Sequence, residues 1–128
     1  MKKNIVDANA FLRYLIKDIP EQERKFEKLL QKAKKSEVIL LLPQIIIFEI
    51  QFILDKYYHV DKNEIIDKLK LLVSSSYLQI VEREVFQSAL VIYTSENISF
   101  VDSFLLAKTI EEKAELFTFD QKLQKLQE

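Results

Sequence analysis

The chain has no cysteine and no glycine among its 128 residues, and only one histidine. Without cysteine it has no disulfide, no thiolate nucleophile and no zinc ribbon, and without glycine it has neither a Walker loop nor the dinucleotide-binding fingerprint. A single histidine rules out a ribonuclease built on two, and His59 lies in KYYHVDKNE, a polar break that reads as a surface loop. The longest apolar runs, Val38 to Leu42 and Ile45 to Phe48, are far too short to span a bilayer. Residues 1 to 20 lack the uninterrupted apolar centre of a signal peptide, so a cytoplasmic protein is expected. What remains in quantity is oxygen chemistry: carboxylates, hydroxyls and amides.

A composition of 48% hydrophobic and 30% charged residues fits a folded globular chain and not a disordered one. The length suits one domain, residues 1–128, burying about two-thirds of the surface its unfolded form exposes. The net charge of −1 conceals an asymmetry. Residues 1–35 hold ten Lys or Arg against five Asp or Glu, and residues 36–128 hold nine against fifteen. The basic first quarter is able to face a polyanion, although a solvated helix face accounts for most of the lysines between Glu21 and Lys35.

Asn4 to Val6 is a short β-type run, and after Asp7 the spacing of Ala10, Phe11, Leu15 and Ile16 turns helical. Ile19-Pro20 ends that helix, and Phe26, Leu29, Leu30 and Ala33 give the next its apolar stripe, to about Lys35. Glu37 to Leu42 is β-rich, and Pro43 opens a helix that holds Glu49 and runs to about Tyr58. Asp61 is placed to cap a helix over Lys62 to Val73. Tyr77 to Val81 reads as a strand, Val85 to Tyr93 as a helix, and Val101, Phe104, Leu105 and Ile110 mark another. Glu115 to Phe119 alternates as a last short strand, followed by a terminal helix, Asp120 to Leu126. Strands alternating with helices predict an α/β fold: a three-layer α/β/α sandwich around a mostly parallel sheet.

In that layout Asp7 and Asp120 end the first and last strands, at the edge where open α/β sheets bind ligands. Asp102 falls in the first turn of its helix, where the dipole favours an anion. Glu49 interrupts IIIFEIQFIL, and Ile45, Ile46, Phe52 and Ile53 around it predict a helix with little room for water. A carboxylate stranded there must reach water, be protonated or meet a cation, and pairing with a core Arg or Lys is its structural alternative. Capping serves equally for Asp102 and Asp120, and an Asx-turn for Asp7.

IVDAN at Asp7, IFEI at Glu49, SFVDSFLLA at Asp102 and TFD at Asp120 resemble, in order, the four acidic motifs of PIN-domain proteins. The length is similar to that of VapC-type toxins, the ribonuclease halves of toxin–antitoxin pairs. The resemblance covers essentially the whole chain. It implies that Asp7, Glu49, Asp102 and Asp120 are catalytic and bind Mg²⁺ or Mn²⁺, directly or through water, with Asn9 and Thr118 orienting ligands behind them. Four adjacent carboxylates repel one another, and an all-oxygen pocket suits those ions. Such an ion acidifies water and stabilises charge building on a phosphate, and family members cut RNA to leave a 5′-phosphate and a 3′-hydroxyl. Arg13 and Lys17, one and two turns beyond Asn9, are candidates for RNA phosphates, with solvated salt bridges as the more ordinary reading. An RNA substrate, a cognate antitoxin and a homodimer are the partners implied.

Two rivals differ in class. An Asp that ends the first strand also occurs in haloacid-dehalogenase-like phosphatases and receiver domains, but the former want a second Asp where this chain has Asn9, and the latter need an acid pair and a lysine not found here. The other rival is a PIN fold kept as a non-nuclease binding module, against which the four intact acids stand.

Overall fold

The computed structural model describes every residue from Met1 to Glu128, and the chain divides into two compact units, Met1–Val81 and Glu82–Glu128. The first contains three strands and four helices; the second is helical throughout.

In the first unit, β1 (Lys2–Ile5), β2 (Val38–Leu42) and β3 (Leu78–Ile80) form an all-parallel sheet in the order β1-β2-β3. Leu40 and Leu42 of the central strand are fully buried, as befits a parallel strand with helices packed against its sheet. Register pairs Lys2 with Val38 and Ile5 with Leu41 on one side, and Leu40 with Leu78 on the other. The helix α1 (Ala8–Ile16) buries Ala8, Phe11, Leu12 and Leu15, the i, i+3, i+4, i+7 stripe of an amphipathic helix. Pro20 starts α2 (Pro20–Lys34), whose Phe26 meets Phe11 edge-on at 5.0 Å. After Pro43 comes α3 (Gln44–Lys56), and α4 (Lys62–Val73) follows. Asp61 stands at the N-cap position of α4, but its side chain makes no capping bond. Lys68 of α4 donates to the Leu15 carbonyl at 3.1 Å, satisfying one of the open acceptors at the end of α1.

In the second unit, α5 (Arg83–Ser95) and α6 (Phe100–Glu111) pack through aromatic rings, with Phe86 stacked on Phe100 and tilted against Phe104 at 4.8 Å. The apolar residues that mark α6 in the sequence are not the ones it hides. Phe100, Ser103, Leu106 and Ala107 are buried, while Val101, Leu105 and Ile110 face solvent. Lys108 of α6 bonds to both Glu82, just before α5, and Glu112. These bonds, Glu82 first, raise the Lys108 ammonium to about 12.

The expected strand at Glu115 to Phe119 does not form. Residues 114–118 carry no ladder, and Phe117 and Phe119 lie 86% and 87% exposed, edge-on to each other at 5.4 Å. Alternation is only half of what makes a strand; the other half is a neighbour to bond with. Here the side-chain amide of Gln127 takes that place: its Oε1 accepts from Leu116 N–H at 2.8 Å and its Nε2 donates to Leu116 C=O at 3.2 Å. The terminal helix α7 (Gln121–Leu126) follows.

Having no glycine, the chain ends several elements on residues forced into the left-handed region. Lys17, Ser36, His59, Glu82 and Lys113 all have φ between 52° and 61°. Such a backbone costs a residue with a Cβ roughly 1 kcal/mol, a cost glycine escapes. The α/β class expected from the sequence is the one found: a parallel sheet flanked by helices.

Candidate functional site

Asp7 lies two residues beyond β1 and caps α1. Its Oδ1 accepts from Ala10 N–H at 3.0 Å, in the geometry that makes Asp a favoured N-cap. The residue is exposed, so its second carboxylate oxygen is open to a ligand. Asn9, in the first turn of α1, is exposed as well, and no hydrogen bond or ion pair joins Asp7 to Asn9 or to Glu49.

Glu49 corrects the sequence reading. It is exposed, and so are two of the residues thought to wall it off, Ile45 at 71% and Phe52 at 60%. The buried stripe of α3 is Ile47, Ile50 and Leu54, which occupies one side of the helix and leaves its surplus of apolar residues on the other. No buried arginine or lysine meets Glu49. Of the three escapes open to a carboxylate in a greasy run, the fold gives it water.

In the second unit, Ser99 caps α6 by accepting from Asp102 N–H at 3.0 Å, and the fully buried Ser103 hydroxyl donates to the Ser99 carbonyl at 2.9 Å. Asp102 is therefore held in the first turn by its backbone, half-buried, with its carboxylate near the positive end of the helix. Asp120 caps α7, its Oδ1 accepting from Leu123 N–H at 3.0 Å. Thr118 and Asp120 are brought together: the Thr118 hydroxyl accepts from Asp120 N–H at 3.1 Å, which fixes the turn that presents the carboxylate.

The two basic candidates differ. Arg13 is engaged, its guanidinium 3.2 Å from Asp18 and donating to the Tyr58 hydroxyl at 2.6 Å, with Nε buried and unbonded. Lys17 is exposed at the left-handed end of α1. Tyr58, 45 residues from Arg13, is a partner no local pattern could mark, whereas Asp18 lies close by along the chain.

Each unit thus presents two of the four acids: Asp7 and Asp120 cap helices, Asp102 lies in a first turn, and Glu49 is exposed on α3. Neither unit gathers three or more of its His, Asp or Glu side chains into a group able to hold a metal. The donors themselves suit a hard divalent ion: every candidate is a carboxylate, and Asp7 and Asp120 each commit one oxygen to a cap and keep the other. No helix is long and apolar enough to cross a membrane.

Comparison with known proteins gives one match. The PIN domain family model aligns with residues 5–128, which takes in both units and all four acids. No curated protein and no solved structure matches the chain. On the family match, the chain belongs to the PIN-domain family, a nuclease-type fold.

Proposed function

We propose that this PIN-domain chain is a Mg²⁺- or Mn²⁺-dependent endoribonuclease, the toxin of an antitoxin-neutralised pair, acting in the cytoplasm as a homodimer. The observation that carries the reading is a family match spanning 5–128, supported by the resemblance of the segments around Asp7, Glu49, Asp102 and Asp120 to the family's four acidic motifs. The proposal takes Asp7, Glu49, Asp102 and Asp120 as the metal ligands. A bound ion there would supply Lewis-acid stabilisation of charge on a phosphate oxygen and a more acidic water.

The chain's own residues have definite tasks in this scheme. Ala10 N–H and Leu123 N–H each hold one oxygen of their aspartate, so that Asp7 and Asp120 offer the other in a fixed direction. Ser99 fixes the turn under Asp102, and Thr118 the turn under Asp120. Asn9, exposed one residue into α1, is placed to orient a water or a ligand. Arg13 is too engaged with Asp18 and Tyr58 to be a free phosphate anchor, which leaves that role to Lys17.

The test is cleavage of a single-stranded RNA by the purified chain in EDTA, and again after Mg²⁺ or Mn²⁺ is restored. Cleavage is expected only with the ion, and Asp7→Asn, which retains a capping oxygen, should lower it by about 10²-fold or more without unfolding the protein. Cleavage that persists in EDTA, or in Asp7→Asn at the wild-type rate, overturns the reading.

A further inference from the structure

Helix α1 is fastened to its neighbours at its C-terminal end. The Arg13 guanidinium donates at 2.6 Å to the hydroxyl of Tyr58, two residues past the end of α3, and pairs with Asp18 at 3.2 Å. Lys68 of α4 donates to the Leu15 carbonyl one turn further on, at 3.1 Å. At the other end of α1, Asp7 bonds to Ala10 within its own first turn, and no hydrogen bond or ion pair crosses from it to α3.

Arg13 is a poor choice if cohesion is all that the place requires. Its side chain is only 15% exposed and its Nε is buried without an acceptor, so a charge has left water with one donor unsatisfied. An apolar side chain of similar volume commonly stabilises as well as a buried ion pair does, or better. A guanidinium offers something else: its rigid fork fixes distance and direction to two partners at once. The helices it joins are the ones that carry the acids of the first unit. α1 and α3 follow neighbouring parallel strands and pack against each other, so both run away from the same edge of the sheet. Asp7 opens α1, and Glu49 lies in the second turn of α3. Arg13 stands about 9 Å along the axis from Asp7, and α3 ends about 10 Å beyond Glu49. A tie between the far ends therefore governs how far one helix slides or turns against the other, and with it the separation of the two carboxylates.

We infer that Arg13 is a positioning residue: through Tyr58 and Asp18 it fixes the register of α1 against α3, and so holds Asp7 and Glu49 at the spacing that a shared metal ion requires. The inference rests on the reading of these two acids as metal ligands, and it adds a residue that touches neither the ion nor the RNA.

The experiment measures Mn²⁺ affinity, from the spin-resonance signal of the free ion, for the wild type, Arg13→Met, Tyr58→Phe and the double variant, with a thermal melt of each. Tyr58→Phe removes one oxygen and keeps the pair between Arg13 and Asp18, which guards against a variant that fails to fold. Each single variant is expected to weaken Mn²⁺ binding by about tenfold, the loss typical when a group that orients a ligand is removed. The double variant should lose no more than the larger single loss, because both changes break one bridge. The chain has no cysteine, so spin labels attach only at introduced sites; on Asn9→Cys and Phe52→Cys, both exposed, they report the spacing of α1 and α3 without metal. Adding Tyr58→Phe should broaden that distance distribution, and with metal and RNA it should lower kcat by more than it raises KM. Wild-type Mn²⁺ affinity in both folded single variants overturns the inference, even where the melting temperature falls, since the bridge is then cohesive and nothing more. Losses that multiply in the double variant overturn it as well. The two proposals fail separately: normal Mn²⁺ binding by Asp7→Asn sinks the metal site, whereas weakened binding by Asp7→Asn beside normal binding by Tyr58→Phe sinks only the role of Arg13.

Discussion

Asp7 and Asp120 occupy matching places at opposite ends of the chain, each after an extended run and each capping the helix that follows through one oxygen. What lies before them differs. Asp7 follows a strand paired residue for residue with β2, and it opens a nine-residue helix with four buried side chains. Asp120 follows a segment with no ladder, and it opens a six-residue helix that buries only Leu123. The first carboxylate is aimed by a sheet; the second is aimed by a Thr118 hydroxyl and a short turn. A motif of the same local form is thus rigid in one place and lightly held in the other, and the surrounding packing makes the difference.

This contrast can be tested by its consequences for stability. The largest effect belongs to the cores. Leu54→Ala in the first unit and Phe86→Ala in the second, both fully buried, should each cost about 3–5 kcal/mol in denaturant unfolding. Next come the caps. Asp7→Ala should cost about 1 kcal/mol and Asp7→Asn far less, because Asn caps as well as Asp. Asp120→Ala should instead show as faster amide exchange at Leu123 with little change in global unfolding, since so short a helix opens locally before the rest does. An equal global loss from Asp7→Ala and Asp120→Ala would erase the distinction drawn between the two ends. Smaller again, Lys17→Gly and Lys113→Gly should leave stability within about 0.5 kcal/mol or raise it, because relief of the left-handed strain offsets the extra freedom of the unfolded chain.

The least effect concerns pH. Lys108 binds its proton more tightly in the fold than at its ordinary value of 10.5, up to about 12. The sign follows from that order: the stabilisation is fully present below pH 10.5 and disappears as pH rises through 12. Lys108→Met should flatten that alkaline decline in a thermal-melt series, and an unchanged decline would show that other groups cause it.

Much of this was legible in the residues. β2, β3 and all seven helices follow from local spacing and punctuation, because apolar period and proline position are properties of a few neighbouring residues. β1 begins two residues before the run Asn4 to Val6 and ends one residue before it does, since Lys2 and Lys3 join it through backbone pairing that their side chains do not advertise. The strand at 115–119 was misread for the converse reason: its side chains alternate, but no partner bonds to it. Glu49 shows the limit of pattern in a different way. Its helix has more apolar residues than the core accepts, and only packing decides that Ile47, Ile50 and Leu54 go inward while Ile45 and Phe52 do not. The four acids and their order were visible because chemistry of this kind is written in residue type, whereas the bonds that steady them, from Ala10, Ser99, Thr118 and Leu123, are written in backbone shape.

The clasp of Gln127 on Leu116 places in one side chain what a sheet spreads over many amides. It can therefore be edited by a single atom. In Gln127→Glu the oxygen that meets the Leu116 N–H survives while the nitrogen that meets its C=O becomes a second oxygen, turning half of an attraction into a repulsion. The loop bearing Phe117 and Phe119 is held by that amide together with the Gln124 amide on the Thr118 carbonyl, so its hold can be loosened in steps without touching a core residue or any of the four candidate acids.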